Sequence, residues 1–494
     1  MTAATKAPKA KQAVPAAATK LDYQATQDKG RRQTTTKRTK AEDATLKSGD
    51  RQKLVAGARD QVRNYAILGW MLRRHVDYVS RFSPLVGATG SEALDDYLER
   101  ELKRHGRRRN FDASKRHCRN QFMRIFETMK ILDGDAAVLK LAGAKFQGIE
   151  GDRIAKPGDV PTDYKDAVTD HGLILDDMGA TAKYCVCKRM ASSPTMLQFD
   201  QLVDASAVVF DGYFTRYDQT RGISPLAAVL NPSTDLHEAM EWTQLKIKLH
   251  ALMGIQINRE QQAGVVDGFA TTETEASDIT AAGVETADNQ YEFNTRGITV
   301  FDLDPGESVK PIESETPSDE FANWTDKMIR FILLGLDIPY SAFNGDAASF
   351  SARIADREEY EKSAEEKREK NREVLQELYE FVLADWYANR PEFRRLVQAS
   401  GKTVEQIADL IEWCAAGTPW LDKLKEVNGD AMSVASGFES RQRICKRRGT
   451  DFFKVIDELA LEQEYAKERG VVLAIGSPGQ TTVEQIEKDV EDTP

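Results

Sequence analysis

Residues 318–390 read SDEFANWTDKMIRFILLGLDIPYSAFNGDAASFSARIADREEYEKSAEEKREKNREVLQELYEFVLADWYANR, and the fold is decided there. Ser318 suits an N-cap, and Asp319 and Glu320 fall in the first turn, where carboxylates favour the helix dipole. Phe321, Trp324, Met328, Phe331 and Ile332 then recur at three- and four-residue spacing and predict an apolar stripe. Gly335 and Pro339 end that helix, because proline pushes Ile338 out of the α region. Asn344-Gly345-Asp346 marks a second turn. From Phe350 to Arg390 there is no proline or glycine, which predicts a helix of about 60 Å. Its first half, Ala355 to Arg372, is almost all charged, while its second half carries Val374, Leu375, Leu378, Phe381, Val382 and Trp386. The second half must pack. The first must be largely solvated or lie against other copies, so the stretch reads as an assembly element rather than a pocket.

The totals set the frame. A chain of 494 residues allows two to four domains, and 41% hydrophobic with 30% charged residues is the composition of a soluble globular protein. A net charge of -11 argues against tight, indiscriminate binding of nucleic acid by the body. Five cysteines with no secretory signal ahead of them are not a disulfide framework, and point to a reducing cytoplasm. Cys185 and Cys187 would share one face of a strand, as core thiols rather than a zinc site, since no second pair lies nearby. No run approaches the roughly 18 to 20 apolar residues of a membrane span.

In chain order, residues 1–50 form a basic arm without apolar period, carrying Lys6, Lys9, Lys11, Lys20, Lys29, Arg31, Arg32, Lys37, Arg38 and Lys40. It reads either as an arm that touches nucleic acid or an acidic neighbour, or as a disordered, solubilising tail. Residues 51–144 are helical, with Tyr65, Leu68, Leu72, Val76 and Val79 on one side of a helix and Phe122, Ile125, Phe126 and Met129 on another. Lys103 to Arg109, with Arg116 and Arg119, is the most basic part of the body, either a DNA-facing surface or a solvated face. Residues 145–222 are punctuated by Gly and Asp and predict a β-rich module. A helix from about Pro225 to Met253 follows, with a kink expected at Asn231-Pro232 and a stripe of Leu236, Met240, Leu245, Leu249 and Leu252. Residues 258–290 read as a long polar loop, and 297–311 as strand, turn, strand. Thr403 with Gln406 forms a capping-box pattern, 416–465 reads as a compact helical segment, and the last twenty residues look loose. The fold class is α+β, mainly helical.

Catalytic constellations are missing from the sequence. Gly401-Lys402-Thr403 ends like a phosphate loop, but Leu396 stands where its first glycine belongs. Gly222-Ile223-Ser224-Pro225 is not a nucleophile elbow, and His237-Glu238 lacks the second histidine of a zinc helix. Asp302 and Asp304 flank a Pro-Gly turn and suit turn chemistry. No catalytic, cofactor-binding or metal site is expected.

Three segments in register resemble the lambda-like family of tailed-phage portal proteins. The first runs from Arg216 through Arg221-Gly222-Ile223-Ser224-Pro225-Leu226 to Leu230. The second is Gly335-Leu336-Asp337-Ile338-Pro339-Tyr340, then Asn344-Gly345-Asp346 and Phe350-Ser351-Ala352-Arg353, where Phe350 replaces a tyrosine and Ala352 a serine. The third is Trp420-Leu421-Asp422-Lys423-Leu424-Lys425-Glu426, followed by Arg447-Arg448-Gly449-Thr450-Asp451-Phe452. Together they cover roughly residues 60 to 465. The resemblance implies a ring of identical subunits, twelve in the usual case, at one capsid vertex of a virion assembled in the host cytoplasm. Double-stranded DNA would pass through its channel in packaging and ejection. The terminase large subunit, head-tail connector or adaptor proteins, the major capsid protein and the scaffold would be its partners, with no membrane and no cofactor.

The same resemblance suggests a helical wing region at 51–144, a clip-like module at 145–222 and a stem helix at 223–257. It places a loop and wing strands at 258–317, channel-wall and wing helices at 318–400, a crown at 401–465 and a loose tail at 466–494. Lys246, Lys248, Arg353, Arg357 and Lys362 are then candidates to line or flank the channel, and inter-subunit salt bridges or plain solvation would account for them as well. Two other classes fit the composition: a packaging or processing enzyme, disfavoured by the missing nucleotide loop, and a scaffold or tail adaptor without a channel.

Overall fold

The computed structural model describes residues 40–87, 89–193, 195–252, 255–259, 307–311, 318–345, 349–415, 423–471 and 473. Helices α1 (Glu42–Thr45), α2 (Ser48–Asn64) and α3 (Ala66–Val79) lead to strand β1 (Phe82–Val86), then α4 (Glu92–His105), α5 (Arg108–Phe111) and α6 (Arg119–Asp133). Strands β2 (Asp135–Leu141), β3 (Lys145–Glu150), β4 (Leu173–Leu175), β5 (Thr181–Arg189), β6 (Leu197–Asp204) and β7 (Val208–Gly212) follow. After α7 (Leu230–Leu252) come β8 (Ile255–Arg259), β9 (Glu307–Pro311), α8 (Asp319–Leu333), α9 (Tyr340–Phe343) and α10 (Phe350–Asn389). The described chain closes with α11 (Pro391–Ser400), α12 (Val404–Asp409), β10 (Ile411–Ala415), α13 (Lys423–Ala435), α14 (Arg441–Arg447) and α15 (Phe452–Glu468). This is a mainly helical α+β protein.

The chain divides into two compact units, the first comprising 1–56, 86–224 and 374–411, the second 57–85, 225–373 and 412–494. In the first unit, β2 is the central strand of an antiparallel sheet ordered β3-β2-β7, with Ala137 opposite both Ile149 and Phe210. A second antiparallel sheet is ordered β4-β5-β6. Strand β5 is buried on both faces. Tyr184 and Val186 pack with Ala137, Leu139, Ile149 and Val208, while Cys185 and Cys187 pack with Ala155, Val160 and Val168 on the other side. The two thiols are core residues on one face, as their spacing predicts.

The helical half of this unit closes over an aromatic cluster. Trp386 and Tyr379 of α10 meet His105 of α4, and Phe111 and Phe146 complete the group. His105 Nε2 lies 2.7 Å from the Ala144 carbonyl and therefore carries its proton there. Nδ1 is left to accept from the Tyr379 hydroxyl at 3.3 Å, whose oxygen in turn accepts from Arg119. Burial, helped by Arg390 and Arg119 and opposed by that carbonyl and by Asp385, pushes the His105 pKa down to about 4.

In the second unit, the charged half of α10 is not merely solvated. The Tyr78 hydroxyl bonds Glu361 at 2.5 Å, Arg368 donates to the Tyr78 carbonyl, and Asn371 donates to that of Val79. Arg368 is buried between Glu361 and Glu365 with its guanidinium over the Tyr78 ring, so the charges pair with one another against α3. Ser318 caps α8 by accepting from Phe321 N at 3.3 Å.

Several expectations need correction. The division at residue 144 falls inside the β2–β3 hairpin, because β2 already belongs to the sheet; residues 145–222 are knit into the first unit rather than standing apart. The arm's end is structured: Asp43 accepts from Thr220 N and Oγ1, and Arg216 pairs with Glu42. Pro232 sits in the first turn of α7, where its missing N–H costs nothing, so no kink arises. The buried face of α8 is Ile329, Ile332 and Leu333, while Trp324 and Phe331 of the expected stripe are exposed. Within the segment expected at 416–465, the described part is helical, and its helices α13 and α14 bury no residue. Strand β9 pairs with β8, which takes in residues 258 and 259 of the loop expected at 258–290; the rest of that expected loop, the strand expected at 298–301 and residues 1–39 lie outside the described residues.

Candidate functional site

The Arg221-Gly222-Ile223-Ser224 motif is a buried clasp. Asp135, at the start of β2, takes Arg221 through two bonds, Nε at 2.8 Å and a terminal nitrogen at 2.7 Å. The remaining donors of Arg221 reach the carbonyls of Gly151 at 2.6 Å, Ile154 at 2.6 Å and His171 at 2.8 Å. Every donor of the guanidinium is used, which is the condition for burying one. Asp135 also accepts from Gly222 N at 2.9 Å and from Arg51 at 3.0 Å. Burial would raise its pKa, but Arg221 and Arg51 outweigh burial and hold the carboxyl below its ordinary value. Arg51, by contrast, is desolvated and repelled by Arg221, which brings it down to about 10. Gly222 is required by contact: a Cβ there would stand 2.0 Å from the Gly134 carbonyl oxygen. Ser224 Oγ completes the crossing by donating to Ile131 O at 2.6 Å. Pro225 then opens a short 3-10 turn ahead of α7.

Beside the clasp, Lys130 of α6 is buried between Asp211 at 2.6 Å and Glu127 at 3.0 Å. Desolvation works against its charge, yet the two carboxylates win and raise its pKa. Neither Asp135 nor Lys130 was singled out by the sequence. The available signal was an aspartate opening an apolar strand, where a charge needs a partner.

The second motif is a corner in the second unit. A Cβ on Gly335 would come within 3.0 Å of Val229, so glycine permits the close packing. Asp337 adopts the left-handed conformation at φ 57° and accepts from Ser363 at 2.7 Å and Lys367 at 2.9 Å. Pro339 precedes α9 at its N-cap, and the Tyr340 ring lies 4.3 Å from the Arg330 guanidinium. Gly345 approaches the Arg353 guanidinium; Asp346 lies outside the described residues.

The third motif joins its own two halves. Arg448 contacts Glu426 and Asp430, both at 3.1 Å, while Arg447 contacts Asp430 and Glu439. Gly449 takes a φ of 76° after α14, and Asp451 caps α15 through Phe453 N. Lys425 sits beside Glu426 on α13, and Trp420 falls outside the described residues.

The channel candidates are brought together only in part. Lys246 and Lys248 are exposed on α7 and have no ion-pair partner among the described residues. From Glu241 to Lys248 that helix has no buried face; Trp242 is 68% exposed, and Leu245 and Ile247 are also outward. On α10, Arg353 and Lys362 are exposed, whereas Arg357 is half-buried and 3.9 Å from Glu426, which links it to the third motif. Among the described residues there is no cluster of three or more side chains able to hold a metal, and no helix long and apolar enough to cross a membrane.

Comparison with curated proteins finds no match. Among solved structures, the chain is similar to one from the virion of a native gene transfer agent particle, at 14% identity and TM-score 0.41, covering 81% of this chain and 93% of that one. It is similar also to a chain from the neck of the native particle, at 15% identity and TM-score 0.43, covering 81% and 92%. Residues 29–367 match the family described as phage portal protein, lambda family. That range contains the Arg221 clasp and the Gly335–Arg353 corner, while the Arg448–Glu426 pair lies beyond it. Matched over more than half its length, the chain belongs to the lambda family of phage portal proteins.

Proposed function

We propose that the chain closes into a ring of identical subunits at one capsid vertex and forms the conduit for double-stranded DNA during packaging and ejection. The family is structural rather than enzymatic. One observation carries the ring: the Glu241–Lys248 half of α7 is exposed all round, with Trp242, Leu245 and Ile247 among its outward residues. A helix with outward apolar side chains on no preferred face, uncovered by the described residues of its own chain, suits cover by neighbouring copies. A ring of copies, dodecameric in this reading, supplies such neighbours.

In the same reading, α7 is the stem helix, residues 318–400 supply wall and wing, and 401–465 the crown. The surface around 145–222, held to β2 by the clasp, meets the terminase large subunit and the head-tail connectors. Lys246, Lys248, Arg353, Arg357 and Lys362 are the cations near the DNA path. A net charge of -11 suits a conduit, since every neutralised phosphate releases counterions and adds affinity that would hold the cargo back.

Negative-stain microscopy and native mass measurement of one purified sample test the reading. Closed rings with a hole wide enough for a duplex are expected, and Trp242→Ser with Ile247→Ser should dissociate them. A stable monomer or an open filament at high concentration would instead support a scaffold or tail adaptor without a channel.

A further inference from the structure

We propose that the Lys103–Arg116 face of the first unit is a separate nucleic-acid surface, which grips the phosphate backbone of duplex DNA without reading its sequence. It shares no residue with the channel candidates. Lys103, Arg104, the Arg107–Arg109 run, Lys115 and Arg116 are all exposed. Of these, only Arg104 has an ion-pair partner among the described residues, Glu101 at 3.5 Å. The cations are displayed by a fixed underside: His105, Phe111 and Asp112 are buried between them in the sequence, and Arg119 is buried just after.

Asp112 does most of the fixing. Its carboxylate accepts from Ser114 N at 3.0 Å, Ser114 Oγ at 2.5 Å, Arg116 N at 3.0 Å and His117 N at 3.0 Å. The one acid within the cluster is thereby spent on backbone and hydroxyl donors instead of neutralising its neighbours. The turn holds Lys115 at φ 60°, a left-handed conformation that a lysine adopts only when its surroundings impose it. Arg104 also borders an open groove of about 630 Å³, to which Arg100, Lys145 and Arg390 contribute further cations.

The composition selects the partner. Between residues 103 and 116 no large apolar side chain is exposed, whereas a protein partner needs apolar or aromatic anchors at the centre of its interface. Exposed guanidinium groups on a preordered surface match phosphate, which is recognised by charge and paired hydrogen bonds alone.

The test titrates a fluorescently labelled duplex of about twenty base pairs with the full-length chain at about 50 and 200 mM salt. Arg107→Gln/Arg108→Gln/Arg109→Gln should weaken binding at least tenfold at the lower salt. Losing three phosphate contacts should also flatten the log–log salt slope by about 2.7. Lys115→Gln/Arg116→Gln should act in the same direction by about 1.8, and lysine in place of the three arginines should restore most of the affinity. Circular dichroism confirms that each variant folds. Wild-type affinity and slope in both glutamine variants would overturn the proposal. So would displacement of the duplex by polyglutamate at equal charge, which would assign the face to an acidic protein. Lys246→Gln/Lys248→Gln should leave these two differences intact, so the surface stands or falls independently of the channel.

Discussion

Replacing Asp135 by alanine should open the first unit locally. The side chain is fully buried and accepts four hydrogen bonds, from Arg221 twice, from Arg51 and from Gly222 N. Its removal leaves two guanidinium groups, those of Arg221 and Arg51, buried without a counter-charge. Breaking one buried pair costs about 3–5 kcal/mol, because the surviving charge cannot return to water. That corresponds to roughly a 10²- to nearly 10⁴-fold loss of protection against opening. Hydrogen–deuterium exchange of peptides covering β2 and β7 reads it directly. Asp135→Leu with Arg51→Met and Arg221→Met should recover only part of the loss, since the carbonyls of Gly151, Ile154 and His171 would lose the donors that Arg221 gives them. The pH dependence has a definite sign. The folded carboxyl titrates below its ordinary value of 3.8, so its contribution is complete above that pH and disappears only as the pH falls through the lower, folded value. A loss of protection under fivefold in Asp135→Ala, less than about 1 kcal/mol, would refute the clasp as the fastening of this unit.

Other outcomes follow from the same contacts. Gly222→Ala puts a Cβ 2.0 Å from the Gly134 oxygen and should cost at least the upper part of the usual 1–3 kcal/mol for overpacking, about 3 kcal/mol, read as a lowered midpoint of thermal unfolding. His105 is held neutral, with its pKa lowered from 6.5 to about 4, so protons bind the unfolded chain first. Stability should decline between those two pH values by up to about 1.4 kcal/mol per unit and then level off. Urea midpoints across that range should lose this slope in His105→Gln. A double-mutant cycle on Arg448→Ala and Glu426→Ala should give a coupling of about 0.5–1 kcal/mol, the range of a half-exposed pair, and none at high salt.

Local devices were legible in the sequence, and distant ones were not. The Ser318 cap, the Thr403–Gln406 capping box and a long helix beginning at Phe350 depend on residues within one turn of each other, and each appears where its pattern puts it. Asp135 is 84 and 86 residues from its two arginines, and nothing in the local period announces them. The reading of 51–144 as helical failed at its end, where β2 forms a hairpin with the adjacent β3 and pairs on its other edge with β7, the one partner that lies far along the chain. The stripe on α8 had the right period but the wrong burial. Trp324 and Phe331 of that stripe stay exposed, and the helix is buried instead through Ile329, Ile332 and Leu333. The cations of residues 103–116 were visible as a run, but only the burial of His105, Phe111 and Asp112 between them shows a displayed face rather than a loose coil.

The three motifs on which the resemblance rests, two of them inside the matched range, share one physical character. Gly222 allows two chain segments to cross at backbone distance, and Arg221 ties five acceptor positions on β2 and the following loops into that crossing. Gly335, Asp337 and Pro339 turn the chain between α8 and α9 by a close approach, a left-handed residue and a fixed φ. Gly449 and Asp451 end one helix and begin the next, while Arg448 pins that turn to α13. Most of these residues act through backbone geometry or through contacts within the chain, and Asp337, though exposed, spends its carboxylate on Ser363 and Lys367. Each fixes a point where the backbone changes direction, and no other residue type fits there without a clash, an orphaned charge or a strained φ. In a subunit whose work is geometric, such residues constrain the sequence as tightly as catalytic groups constrain an enzyme's.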